Sequence, residues 1–108
     1  KFVSFPKYET FVADRKYAQI AKALDLPCAT VEEGVQSLIN AVRDLMKKLN
    51  MPMSIADCKV DRNQFVAKVA ELADKAFEDQ CTTANPRLPL VKELEELYMK
   101  AYDGINIK

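Results

Sequence analysis

Three thiols and sixteen carboxylates are the first candidates for chemistry in a chain that has no histidine. The sequence holds three cysteines, sixteen acidic residues, sixteen basic residues and no imidazole. That removes the usual general base, the commonest metal ligand and the side chain that titrates near neutral pH. A self-sufficient enzyme of this composition is uncommon, so the chain reads as a binding protein or as one piece of a larger catalyst. Cys28 follows a proline and Cys58 falls in a connector, and both read as small apolar fillers. Glu32-Glu33, Glu93 and Glu95-Glu96 fall on helices as solvated faces with lysines four residues on, Glu96 with Lys100 being one such pair. No histidine or inward carboxylate pair completes a metal site with them. Cys81 differs. It sits in Asp79-Gln-Cys-Thr-Thr-Ala-Asn-Pro-Arg87, a run of short hydrogen-bonding residues without helical period. Polar loops held between rigid elements often line sites. The competing reading is a helix-to-helix connection in which Thr82 and Thr83 cap backbone groups and Asn85-Pro86 makes the turn.

Composition narrows the partners. The formal net charge is zero and the longest basic run is Lys47-Lys48, so no stripe of charge suits nucleic acid. No apolar stretch approaches the ~18 residues of a membrane span, and the first residues lack a signal-peptide pattern. The start at Lys1 rather than Met suggests a processed or excised product. Three widely spaced cysteines without Cys-x-x-Cys argue against a disulfide framework or structural zinc, and for a reducing cytoplasm.

The elements that must position these residues are helices. Two glycines in 108 residues are too few for sheets with hairpins or for a phosphate-cradling loop. The fold class is all-α, with four to five helices. Residues 1–12 form an extended arm bearing Phe2, Phe5, Tyr8 and Phe11, and residues 1–108 form a single helical segment. A first helix runs from about Asp14 to Leu24 with Tyr17, Ile20, Ala21 and Leu24 on one face, stopped by Pro27. Thr30-Val-Glu-Glu33 is a capping box opening a second helix. Its stripe is Val35, Leu38, Ile39, Val42, Leu45, Met46 and Leu49, and Asn50 and Pro52 end it. Ser54 to Asp57 suggests one short helical turn. Asp61 caps a third helix with the stripe Phe65, Val69, Leu72, Ala73, Ala76 and Phe77. The polar Asp79–Pro89 segment follows. A last helix covers about Val91 to Asp103, with Leu94, Leu97, Tyr98 and Ala101 inward and Gly104 as a left-handed stop.

The string Asp79 to Leu90, followed by Lys-Glu-Leu-Glu-Glu-Leu-Tyr98 and Ala101-Tyr102, resembles the C-terminal end of iron-dependent alcohol dehydrogenases. More narrowly, it is similar to the alcohol dehydrogenase half of bifunctional aldehyde-alcohol dehydrogenases. Phe5-Pro-Lys-Tyr8, Ala13-Asp-Arg-Lys-Tyr-Ala18, Leu26-Pro with Thr30-x-Glu-Glu-Gly-Val35, and Pro52-Met-Ser-Ile-x-Asp-Cys58 extend the likeness over nearly the whole chain. The resemblance implies that the chain is the C-terminal part of a helical iron-binding domain. It also implies a metal held by one aspartate and three histidines upstream, and nucleotide-binding glycines upstream. Fe²⁺ and NAD then belong to the intact enzyme, and this chain holds no cofactor, no metal and no catalytic residue. In the intact enzyme Fe²⁺ would act as Lewis acid on the alcohol oxygen and the nicotinamide would exchange hydride, interconverting acetaldehyde and ethanol. By the same resemblance Cys81 lines the substrate pocket. Thr82, Asn85 and Arg87 shape the loop near it, and Thr83 departs from the glycine usual in the family. The implied partners are the remainder of the parent dehydrogenase and further copies in a homo-oligomer, and the isolated chain is expected to be inactive. The rival reading is a free-standing helical interaction module gripping a protein through the N-terminal aromatics.

Overall fold

A computed structural model describes residues 13–104; the arm expected at residues 1–12 lies outside the described residues. Among the described residues there are four α-helices, two short 3₁₀ turns and no strand, in agreement with the all-α expectation. The chain divides into two compact units, Lys1–Asn50 and Met51–Lys108.

In the first unit α1 is Ala13–Ala23 and α2 is Val31–Lys48. The end of α1 is a Schellman turn. Asp25 takes φ 56°, its N–H donates to the Lys22 carbonyl, and the Leu26 N–H donates to the Ala21 carbonyl at 3.0 Å. Thr30 is extended and its Oγ1 accepts the Glu33 N–H at 3.1 Å. Glu33 reaches back to the Ala29 N–H, one residue before the cap, so the expected box forms with a one-residue offset. Asn50, at φ 54°, ends α2 as expected.

The face that α1 buries is not the one its large residues suggest. Ala13, Ala18 and Ala21 are buried, whereas Ile20 and Leu24 are exposed. The reason is close approach. A Cβ on Gly34 would lie 2.9 Å from both Cα and Cβ of Ala18 and 2.6 Å from Cys28 Sγ. The helices therefore meet where side chains are smallest, and the bulky residues rotate outward. Cys28 fills the seam, its thiol pointing at the Ala18 carbonyl at 3.4 Å. Val35, Leu38, Ile39 and Met46 of the α2 stripe are half-buried. Val42, Leu45 and Leu49 are 51%, 56% and 61% exposed.

In the second unit α3 is Arg62–Glu78 and α4 is Val91–Asp103. The short turn expected near Ser54 is a 3₁₀ turn at Ala56–Cys58. Ser54 Oγ accepts the Asp57 N–H, and Asp57 Oδ2 accepts the Met53 N–H, both at 3.0 Å. This turn carries Cys58 on the surface, so Cys58 is not a filler. Asp61 Oδ1 accepts the Gln64 N–H at 2.9 Å and starts α3 as expected. The core joins Phe65, Val69 and Tyr102, with Ile55, Leu72, Tyr98 and Met99 packed against it. The Phe65 and Tyr102 rings stack with centroids 4.8 Å apart, and the Tyr102 hydroxyl donates to the Val60 carbonyl at 2.7 Å. On α4, Leu94 is buried and Tyr98 half-buried, as expected. Leu97 and Ala101 are exposed, and Tyr102 takes the inward place. Phe77 of α3 is likewise exposed. Gly104, at φ 67°, ends α4, and a Cβ there would lie 2.7 Å from Ser54 Cβ.

Candidate functional site

The segment between α3 and α4 carries every residue singled out for a site. Asp79 closes α3 with extended backbone (φ −65°, ψ 133°) and opens a second 3₁₀ turn at Gln80–Ala84. Its Oδ1 accepts the Cys81 N–H at 2.7 Å. The polar connector is thus partly helical, because an Asp side chain can cap the turn that follows it. Thr82 Oγ1 donates to the Ala76 carbonyl, one of the carbonyls that the end of α3 leaves without an intrahelical partner. Thr83 Oγ1 donates to the Gln80 carbonyl at 2.9 Å. Asn85 is extended, as the residue before a proline prefers, and its Nδ2 donates to the Arg87 carbonyl. Arg87 Nη2 donates to Glu93 Oε1 on the first turn of α4. Glu93 Oε2 accepts the Leu90 N–H at 2.9 Å.

Thr82, Asn85 and Arg87 are therefore tied into the loop and its two flanking helices, while Cys81 is an exposed free thiol. A cavity of about 330 Å³ beside the loop is lined by Leu72, Lys75, Ala76, Asp79, Thr82 and Tyr98. The fold brings Thr82 to it, but not Cys81, Asn85 or Arg87. A larger open groove of about 630 Å³ runs between α3 and α4, floored by Val66, Val69 and Met99, away from the loop.

Glu93 is not the solvated residue that its place in an acidic run suggests. Its side chain is 19% exposed and that of Arg87 13%. The position has a partial sequence signal, since Glu three residues into a helix is the far half of a capping box. The near half is Leu90, which has no acceptor. Among the described residues Glu96 and Lys100 form no ion pair. Exposed ion pairs form instead between Arg62 and Asp103 at 2.5 Å and around Glu71, which meets Lys68 and Lys75 at 2.8 Å each. Hydrogen bonds from the two ammonium groups hold the Glu71 carboxyl down at about 2.

Among the described residues no three His, Cys, Asp or Glu side chains come together in a way that could hold a metal ion. Gly34 lies within α2 and Gly104 ends α4, so neither forms a phosphate-binding loop. No helix of the described residues is long and apolar enough to cross a membrane.

Residues 2–102 match the model of the Fe-containing alcohol dehydrogenase family, C-terminal. An aldehyde-alcohol dehydrogenase of Streptococcus pneumoniae is 42% identical over 104 residues, which cover 96% of this chain and 12% of that protein. A bifunctional aldehyde-alcohol dehydrogenase of Escherichia coli is 37% identical over 106 residues, covering 96% and 12%. An NADPH-dependent butanol dehydrogenase of Clostridium saccharobutylicum is 33% identical over 101 residues, covering 94% and 26%. Matches along nearly the whole chain favour the dehydrogenase reading over the free-standing interaction module.

Proposed function

The chain belongs to the Fe-containing alcohol dehydrogenase family, and from that premise we propose that it serves as the C-terminal helical part of a larger iron- and NAD-dependent enzyme interconverting acetaldehyde and ethanol. In such an enzyme a hydride passes between the alcohol carbon and the nicotinamide, chemistry that the metal and the dinucleotide supply. The described residues fit neither group, having no cluster of metal ligands and no glycine-rich turn. The contribution of this segment, residues 1–108 acting as one helical part, is packing and one wall of the substrate pocket. The remainder of the parent polypeptide, itself a homo-oligomer in the cytoplasm, holds the metal and the nucleotide.

One observation carries the reading: nearly all of this chain aligns with only 12% of an aldehyde-alcohol dehydrogenase. The bare α2 residues Val42, Leu45 and Leu49 support it, because they offer an apolar stripe for the rest of that polypeptide to cover. The pocket wall is assigned to Cys81, an exposed side chain of a loop in which Thr82, Asn85 and Arg87 are half-buried and bonded into the loop's own frame. A bulky residue there should obstruct substrate. In the full-length dehydrogenase carrying this segment, Cys81→Trp is expected to raise the alcohol KM roughly tenfold with a smaller change in kcat, and Cys81→Ala to leave both within about threefold. An unchanged KM in Cys81→Trp overturns the wall. The purified 108 residues with Fe²⁺ and NAD should not oxidise ethanol, and a measurable NAD-dependent rate would overturn the larger reading.

A further inference from the structure

Glu93 holds both ends of a short span of chain with its two carboxylate oxygens. Oε1 takes the Arg87 guanidinium from the loop, and Oε2 takes the Leu90 N–H at the start of α4. We propose that Glu93 is a positioning residue for the Cys81 loop, setting the pocket wall through Arg87; this rests on the assignment of Cys81 to that wall.

Three features support the role. The first is shielding. The Arg87 and Glu93 side chains are 13% and 19% exposed, whereas Lys68 and Lys75, which pair with Glu71, are 66% and 70% exposed. An ion pair largely out of water is screened less, and removing one partner strands the other in a poorly hydrated place. The second is the shortage of backbone donors and caps in the span. Pro86 and Pro89 have no N–H to give, and Leu90 has no side-chain acceptor for the first turn of α4. Side-chain bonds from Asn85, Arg87 and Glu93 run along the path from Asn85 to Leu90. The third is continuity. The Arg87 carbonyl accepts from Asn85 Nδ2, the Asn85 N–H donates to the Thr82 carbonyl at 3.2 Å, and Thr82 Oγ1 donates to Ala76 of α3. A chain of bonds thus runs from α4 through Glu93, Arg87, Asn85 and Thr82 to α3, with Cys81 next to its far anchor.

The test uses the full-length dehydrogenase carrying this segment, with Glu93→Gln as the main variant. Gln keeps an acceptor for Leu90 but loses the charge that holds Arg87. Iodoacetamide labelling of Cys81, read by mass spectrometry of its peptide, is expected to quicken about threefold or more. The alcohol KM should rise roughly three- to tenfold with kcat changing less, since small misplacements of a positioning element are costly. Glu93→Asp, which keeps the charge on a shorter stem, should fall between Gln and wild type. If Glu93→Gln fails to fold, Arg87→Lys carries the test, because it retains the charge and loses the planar fork. A merely structural Glu93 would lower the melting temperature and leave labelling and KM at wild-type values, which overturns the proposal. Faster labelling with an unchanged KM keeps the loop anchor and overturns the pocket-wall assignment of Cys81.

Discussion

The two units of this chain bury different kinds of surface. Met51–Lys108 closes on an aromatic stack, Phe65 on Tyr102, with Val69 and Leu94 buried as well and a hydroxyl tied to the Val60 carbonyl. Among the described residues of Lys1–Asn50 those buried are Ala13, Ala18, Ala21 and Gly34, while Ile20, Leu24, Val42, Leu45 and Leu49 are exposed. Burying a methyl group contributes far less than burying an aromatic ring, because the stabilisation follows the apolar area removed from water. The described helices of the first unit therefore gain little from the residues buried between them and display apolar side chains that a larger partner could cover. The second unit has an aromatic core of its own, although it too leaves Val66, Phe77, Leu88, Leu90 and Leu97 exposed.

The most severe way to break this contrast is to charge the bare stripe. Leu45→Glu with Leu49→Glu should shift the unfolding midpoint of the 108-residue chain by little, about 0.5 kcal/mol or less in stability, because both side chains already face water. The same pair in the full-length dehydrogenase should abolish soluble, active enzyme, as unpaired charges would then be buried. Equal effects in the two settings would remove the distinction between the units.

The aromatic core comes next. Tyr102→Ala should cost about 3–5 kcal/mol in urea unfolding of the chain, by loss of the stack and the cavity left behind. Tyr102→Phe should cost about 1 kcal/mol, the hydrogen bond to Val60 alone. A smaller effect is expected at the α1–α2 seam. Gly34→Ala gains helix propensity but sets a Cβ against Cys28 and the Ala18 backbone. The net loss should be about 1–2 kcal/mol, seen as a lower melting temperature. The mildest prediction concerns Glu71. Its carboxyl sits lowered to about 2 in the folded chain, so what it contributes is present above the ordinary carboxylate range and fades as pH falls towards 2. Thermal melts of wild type and Glu71→Gln should differ slightly at pH 6 and converge near pH 2, and 1 M salt should shrink the difference at pH 6. A gap that widens on acidification contradicts the assignment.

Much of the helical frame is legible in the sequence because its boundaries are local chemistry. Thr30, Asp61 and Gly104 mark helix ends by side-chain or backbone properties of single residues, and α4 spans the expected Val91–Asp103. Which face turns inward is less legible. Period 3.6 places Tyr17, Ile20, Ala21 and Leu24 together but does not say whether the neighbour lies within this chain. The small residues Ala18 and Gly34 decide the packing, and their signal is the absence of bulk. The loop is legible in part. Its turn residues are visible from Asp79 to Pro89, but the 3₁₀ turn depends on Asp79 reaching the Cys81 N–H. The pairing of Glu93 with Arg87 is hidden, because Glu93 stands in a run of acidic residues that looks like an ordinary wet face.

In the proposed function the rest of a dehydrogenase covers α2. Amide hydrogen exchange along Val31–Lys48, compared between the 108-residue chain and the full-length enzyme, tests it most directly. Exchange across α2 should be slower on the order of a hundredfold or more in the full-length enzyme, with a much smaller change in Arg62–Glu78 of the second unit. Equal α2 exchange rates in the two proteins would contradict it.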